Sequence, residues 1–244
     1  VRETEPRALI VLGGYHATTA PEHVLCGDAA CGEVDVLVRN EGERTFAALV
    51  DVLHSDSDYH ELPNISYRDG ERVVNNPAGP VLDLADIKIA DRGARIIRKG
   101  FHLFGFPADS IETSRGCTQD CDFCSIRKMY GPSYRTYTLE RILADMRDAK
   151  RHGARALFFC DDNVALNGRR YKELCEAITA DRLDMLYFVQ ASVQGLYRTP
   201  GLIGAMRESG VRCAFLGIEN ASVDNLTFLD KDRQFQDDHV REVV

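Results

Sequence analysis

No apolar run in the 244-residue chain is longer than about five residues, far short of the roughly 18 that a membrane-spanning helix needs. No secretory leader is visible either. Residues 1–7 are charged, and no apolar stretch precedes a small-residue cleavage site; a cytoplasmic protein is expected on that reading. Basic charge is scarce. Thirty Lys and Arg face 38 Asp and Glu, a net charge of −8, which argues against a nucleic-acid-binding surface as the main role. Low-complexity tracts and internal repeats are lacking. The apolar share of 44% and charged share of 28% are those of an ordinary soluble globular chain, which excludes a disordered, collagen-like or coiled-coil protein. The length allows one large domain or two small ones.

Cysteine is what the chain has in excess. Eight stand at positions 26, 31, 117, 121, 124, 160, 175 and 213, three of them within eight residues. A disulfide scaffold is usually shorter and more evenly studded. In a reducing compartment the cluster reads as a metal site.

Residues 8–12 form an apolar strand that runs into Gly13-Gly14-Tyr15-His16. Pro21 suits a first helical position. Residues 35–38 read as a second strand with Val36 and Val38 on its apolar face. Residues 43–53 are helical, with Phe46, Leu49, Val50 and Leu53 at three- and four-residue spacing. This is half of a doubly wound α/β domain. Between residues 56 and 110, two short runs flank Asp69-Gly70, a hairpin signal, and turn residues follow. That stretch reads as a linker carrying one small hairpin. Beyond it, strands over 111–114, 156–160, 186–191 and 213–218 alternate with helices over 139–152, 169–179, 200–209 and 222–229. Four such units imply a parallel sheet, open or curling into a barrel.

Cys117, Cys121 and Cys124 have the spacing C-x-x-x-C-x-x-C on a loop between a strand and a helix. Active sites of α/β barrels lie at that end of the strands. Three thiolates can hold three corners of a [4Fe–4S] cube and leave one iron open. Zinc is the other reading; it needs a fourth ligand from afar, such as His102 or Cys160. Three further strand ends are polar: Asp161-Asp162-Asn163, Gln190-Ala191-Ser192 and Gly217-Ile218-Glu219-Asn220. Asp161 and Asp162 either cap a turn or pair with an ammonium group.

The cysteine loop resembles the signature of radical S-adenosylmethionine enzymes. The resemblance implies that the three cysteines ligate a [4Fe–4S] cluster and that S-adenosylmethionine chelates the open iron. It implies reductive cleavage of that cofactor to a 5′-deoxyadenosyl radical. Asp161, Asp162 or Glu219 would then receive the cofactor's amino group, Gln190 and Ser192 its ribose, and Phe123 would lie near adenine. Arg135 either pairs with the cofactor carboxylate or is a surface residue. Gly217-Ile218-Glu219 resembles the family's Gly-Ile-Glu-Ser, with Asn220 in place of Ser.

Gly13-Gly14-Tyr15-His16, with Pro21-Glu22 and the Glu41-Gly42-Glu43 run, resembles the second half of a cobalamin-binding domain, with Asn40 where that family has glycine. Gly13, Gly14 and His16 would then lie near cobalamin. The expected organisation is a partial cobalamin-binding-like domain over 1–55, a linker over 56–110 and a partial radical S-adenosylmethionine barrel of about four strands over 111–244. The chain is most similar to the middle of a longer enzyme of the magnesium-protoporphyrin ester cyclase and methyltransferase kind. The resemblance implies cobalamin-dependent methyl transfer to carbon, or a related C–H functionalisation, on a small-molecule substrate, with a reductant such as flavodoxin or ferredoxin. The alternatives are a methylthiotransferase-like enzyme, for which Cys26 and Cys31 offer too few further ligands, and a non-catalytic metal-binding remnant.

Overall fold

The computed structural model describes all residues except 1–2, 28–32, 56, 98–99, 220–221, 229–236 and 244; Cys31 and Asn220 therefore lie outside the described residues. The chain divides into two compact units, Val1–Ile87 with Ser125–Gly131, and Lys88–Cys124 with Pro132–Val244.

The first unit contains β1 (Val11–Gly13), α1 (Tyr15–Thr19), α2 (Pro21–Cys26), β2 (Val36–Val38), α3 (Gly42–His54), β3 (Ile65–Asp69), β4 (Arg72–Asn75) and α4 (Ile126–Tyr130). Its sheet has the order β1-β2-β3-β4. β1 and β2 are parallel, and the other pairs are antiparallel. The hairpin expected around Asp69-Gly70 forms, and it extends the sheet from β2. The even apolar run Val36-Leu37-Val38 has a structural cause. Leu37 packs with Ala17, Val24 and Leu25 on one side, while Val36 and Val38 pack with Leu49 and Ile65 on the other. β2 is thus buried on both faces, as parallel strands between helices usually are, where alternation alone points to one buried face.

The second unit contains β5 (His102–Leu103), β6 (Phe106–Ile111), β7 (Ser114–Arg115), β8 (Arg135–Thr136), α5 (Leu139–Arg151), β9 (Ala156–Phe159), α6 (Gly168–Ala180), β10 (Leu186–Ser192), α7 (Val193–Tyr197), α8 (Leu202–Ser209), β11 (Val211–Gly217), α9 (Val223–Phe228) and α10 (Asp237–Val243). Its main sheet runs β11-β10-β9-β6-β5. The four strands β6, β9, β10 and β11 are mutually parallel, and β5 adds an antiparallel edge. The strand expected over 111–114 ends at Ile111 instead. Its true body, Pro107-Ala108-Asp109-Ser110, lacks apolar alternation because Asp109 is buried in an ion cluster.

That cluster fastens the start of the unit to β6 and α5. Arg92, 4% exposed, donates from Nε to Asp109 at 2.8 Å and from Nη1 to Asp145 and Asp148 of α5 at 2.6 and 3.1 Å. Side-chain caps start three of the helices: Thr138 accepts from the Arg141 N–H, Asn167 from Arg170 and Ser192 from Gly195. On the helix-facing side of the sheet, Phe159 meets Tyr171 of α6 and Tyr187 of β10. No described helix is long and apolar enough to cross a membrane.

Candidate active site

The C-terminal ends of β6, β9 and β10 are sewn together by side chains. β6 runs out through Glu112 and Thr113 into β7, and the chain then turns through Gly116 at φ +84 into the cysteine loop. Asp161, just past β9, is fully buried and holds the root of that loop. Its carboxylate accepts the Thr113 N–H at 3.0 Å, the Thr113 hydroxyl at 2.6 Å and the Ser114 hydroxyl at 2.5 Å. Burial outweighs these donors and pushes its pKa up to about 6. Asp162 accepts the Gly116 N–H at 3.1 Å, immediately before Cys117. From α6, Arg170 donates to the carbonyls of Thr113 and Tyr137 at 2.8 and 3.1 Å. β8 closes the root as a short ladder, with Arg135 opposite Arg115; Arg135 is partly buried.

Cys117, Cys121 and Cys124 are half-buried thiols in no disulfide. A turn from the Cys124 N–H to the Cys121 carbonyl, 3.0 Å, brings the last two together. Burial pushes the Cys117 thiol up, and Cys121, Cys124 and Asp162 raise it further through their charge. The three sulfurs and one carboxylate therefore share a neighbourhood that a cationic iron centre would relieve. Among the described residues no three His, Cys, Asp or Glu side chains close on a single-ion position. Zinc–sulfur bonds of about 2.3 Å would bring tetrahedral thiolates to roughly 3.8 Å from each other. A [4Fe–4S] cube is held by three thiolates alone, whereas zinc would need a fourth ligand from elsewhere in the chain. His102 on β5 and Cys160 after β9 complete no metal group among the described residues.

The end of β10 is tied to the β9 loop. Gln190 donates from Nε2 to the Asp161 carbonyl at 3.4 Å and accepts the Val164 N–H at 2.9 Å through its own carbonyl. Asn163 accepts the Ser192 and Ala165 N–H groups at 3.0 and 3.1 Å, and its Nδ2 donates to the Ser192 hydroxyl at 3.1 Å. Glu219 follows β11, exposed, with backbone φ +61. A side chain other than glycine in that region carries strain, which clusters at functional sites. Phe123 is half exposed on the cysteine loop.

In the first unit, Gly14 at φ +94 turns the chain from β1 into α1. The Thr18 hydroxyl donates to the Gly14 carbonyl at 2.9 Å and accepts the Asn40 N–H at 2.8 Å. His16 Nε2 lies 3.2 Å from His23 Nδ1, with the rings stacked at 5.3 Å and exposed. Gly13 ends β1.

Sequence reasoning missed several residues that build this site. Thr113 and Ser114 precede the cysteines with no signal of their own, and Arg170 carries no local signal inside its helix. Asn163 stood in the polar run but without an assigned role.

Residues 111–241 match the model of the radical SAM superfamily. The chain is 30% identical over 224 residues to an uncharacterized methyltransferase of Pyrococcus horikoshii, covering 91% of this chain and 48% of that protein. It is 25% identical over 232 residues to the anaerobic magnesium-protoporphyrin IX monomethyl ester cyclase of Synechocystis sp., covering 95% and 46%. In fold it is similar to the radical S-adenosylmethionine methyltransferase TsrM from Kitasatospora setae, a structure with cobalamin and a [4Fe–4S] cluster bound. The TM-score is 0.76 at 16% identity, covering 97% of this chain and 48% of that one. The chain thus spans about half the length of the proteins it matches. With its signature cysteines at the end of the first of four parallel strands and the superfamily match running on through all the strands after it, the chain belongs to the radical SAM superfamily.

Proposed function

We propose that the chain is the cofactor-binding part of a radical S-adenosylmethionine enzyme that functionalises a C–H bond of a small molecule, with cobalamin-dependent methyl transfer to carbon as the outcome. The observation that carries the reading is the cysteine loop itself: three thiols outside any disulfide past a parallel strand's end, on a root fixed by Asp161, Asp162 and Arg170. When bound, the cluster and S-adenosylmethionine supply a 5′-deoxyadenosyl radical, and cobalamin supplies a methyl carrier.

Cys117, Cys121 and Cys124 hold three corners of the cluster. Asp161 and Asp162 set the loop's shape, and Asp162 is the carboxylate that would pair with the cofactor ammonium. Gln190, Ser192 and Glu219 offer strand-end groups to the cofactor's ribose and amino acid moieties, and Phe123 covers adenine. In the first unit, Gly13, Gly14 and His16 approach cobalamin, with residues 1–55 as part of a cobalamin-binding-type domain and 111–244 as part of the barrel. A cytoplasmic location and a one-electron donor such as flavodoxin or ferredoxin suit an exposed, reducible cluster. The methyltransferase and cyclase names of the relatives support carbon-centred chemistry.

Anaerobic reconstitution tests the reading. About four irons with matching sulfide per chain are expected, with 5′-deoxyadenosine released under a strong reductant. Cys121→Ala should lose most of the iron. One tightly held zinc without sulfide would overturn the proposal.

A further inference from the structure

The main sheet of the second unit has two unlike faces. Leu157, Phe159, Tyr187 and Val189 point to the helices and are fully buried. Successive strand residues alternate sides, so Phe158 and Phe188 point the other way, and they are only half-buried. They are register partners on β9 and β10, with ring centroids 5.3 Å apart. Farther along the same side of β10 come Gln190 and Ser192, at the end that carries the cysteine loop. The open face therefore has an aromatic floor and a polar rim.

A cavity of about 930 Å³ opens on the Phe158 side of this floor, where Ile96 and Ile97 line it together with the polar side chains of Arg95, His102 and Asp109. That size and a lining of apolar side chains with some polar groups fall in the range of small-molecule sites.

The hairpin joining β5 to β6 supplies a second observation. Its two-residue turn is Phe104-Gly105, with φ +55 and +80. Positive φ at both central residues is the pattern of a type I′ turn, whose first position favours Asn or Gly. A phenylalanine there is strained. Burial does not offset the strain, since Phe104 is 46% exposed. What the strain achieves is placement: the turn holds the Phe104 ring edge-on to Phe188, centroids 6.4 Å apart. Backbone strain of this kind clusters at active sites, ligand clamps and switch regions.

We propose that this face seats the substrate of the reaction proposed above, on which this inference rests, and that the substrate is a flat, predominantly apolar ring system. Phe158 and Phe188 form its bed, Phe104 is the specificity-determining clamp over it, and the substrate's reacting end points along β10 toward the rim where Gln190 and Ser192 meet the cofactor.

The test uses pyrene, a flat apolar fluorophore, with the purified chain. The absence of tryptophan leaves its emission window clear. Wild type should bind one pyrene per chain saturably, and an excess of adenosine should not displace it. Phe188→Ala and Phe104→Gly should each weaken binding by at least about tenfold. Phe104→Gly also separates a clamp from a packing residue. Glycine accepts positive φ without strain, so this variant should keep or raise its melting temperature while losing affinity. Affinity of Phe104→Gly within about twofold of wild type, or binding that does not saturate, overturns the proposal. Iron and sulfide content of the same wild-type preparation keeps the two readings apart. Pyrene binding with the expected variant losses in a chain that loads no cluster sustains the apolar seat and sinks the radical chemistry. A loaded cluster without saturable pyrene binding does the reverse.

Discussion

The loop after β1 and the loop after β6 each leave a parallel strand through a glycine in the left-handed region, Gly14 at φ +94 and Gly116 at φ +84, yet they are held by different means. Around Gly14 the ties are a threonine hydroxyl and an exposed imidazole pair. Around Gly116 they are a fully buried carboxylate with three donors, a second carboxylate and a guanidinium that bridges two carbonyls. Neutral ties at the surface contribute little and exchange readily with water. A buried charge with its partners in place fixes geometry, because any displacement leaves it unpaired in a low-dielectric setting. The root of the cysteine loop is thus fixed by buried charge, while the loop after β1 is tied by neutral groups near the surface.

The largest break in that contrast should come from Asp161→Ala. It strands three buried donors and should cost about 3–5 kcal/mol, read by urea denaturation of the metal-free chain. A loss below that of a surface variant would show that the buried carboxylate is not the anchor.

Next comes Gly195→Ala in α7. An added Cβ there would stand 2.1 Å from the Ala165 carbonyl oxygen, backbone that cannot step aside. The β9 loop and the Ser192 cap would be pushed apart, at about 1–3 kcal/mol. Gly14→Ala meets nothing within 4 Å, so its only cost is the positive φ. Comparing the two by thermal unfolding sharpens the contrast between a packed and an open site.

A smaller effect is expected from pH. The Asp161 carboxyl is raised from 3.8 to about 6, chiefly by burial. Between those values the folded chain binds more protons than the unfolded one, so stability falls as pH rises through the window, by up to about 1.4 kcal/mol per unit. Below 3.8 this contribution is absent. Asp109 and Asp148 are shifted the other way despite their burial, held down by hydrogen bonds from Arg92, Arg95 and Arg151, so their stabilisation is lost only as pH drops through the acid range. Asp161→Asn should flatten the profile between pH 4 and 6, and an unchanged slope would assign it to another group.

His16→Ala should do least, within about 0.5 kcal/mol, because its ring is exposed and its partner is another exposed histidine. A larger loss in denaturation midpoint would place the first loop among the rigid ones and erase the distinction.

How far the sequence revealed this depends on the range of the interaction. Ile142, Met146 and Ala149 follow helical spacing and are all buried in α5, so that helix was legible to within a residue. The cysteine spacing was legible because its ligand pattern is local. Asn40 at φ +58 shows why the resembling family has glycine there: asparagine is among the few other residues that adopt this conformation readily. By contrast, α1 is five residues long and mostly polar, too short for a period to emerge. β6 was placed late because the buried Asp109 reads as a surface residue until Arg92, 17 positions away, is known to face it. The hairpin turn at Phe104-Gly105 lacks the expected asparagine. The partners of Asp161, 47 and 48 residues upstream, obey no periodicity at all.

Those separations also set an order of events during synthesis. The thiols lie at 117–124, but the groups that shape their loop come from Asp161, Asp162 and Arg170. As the chain emerges, the cysteines are exposed well before their supports exist, and closing so wide a loop waits for β9 to find β6. Until α6 has docked, the nascent segment is a floppy trio of thiols open to oxidation and to stray metals. The loop can therefore take its final shape only after residue 170 has emerged, whatever it goes on to hold.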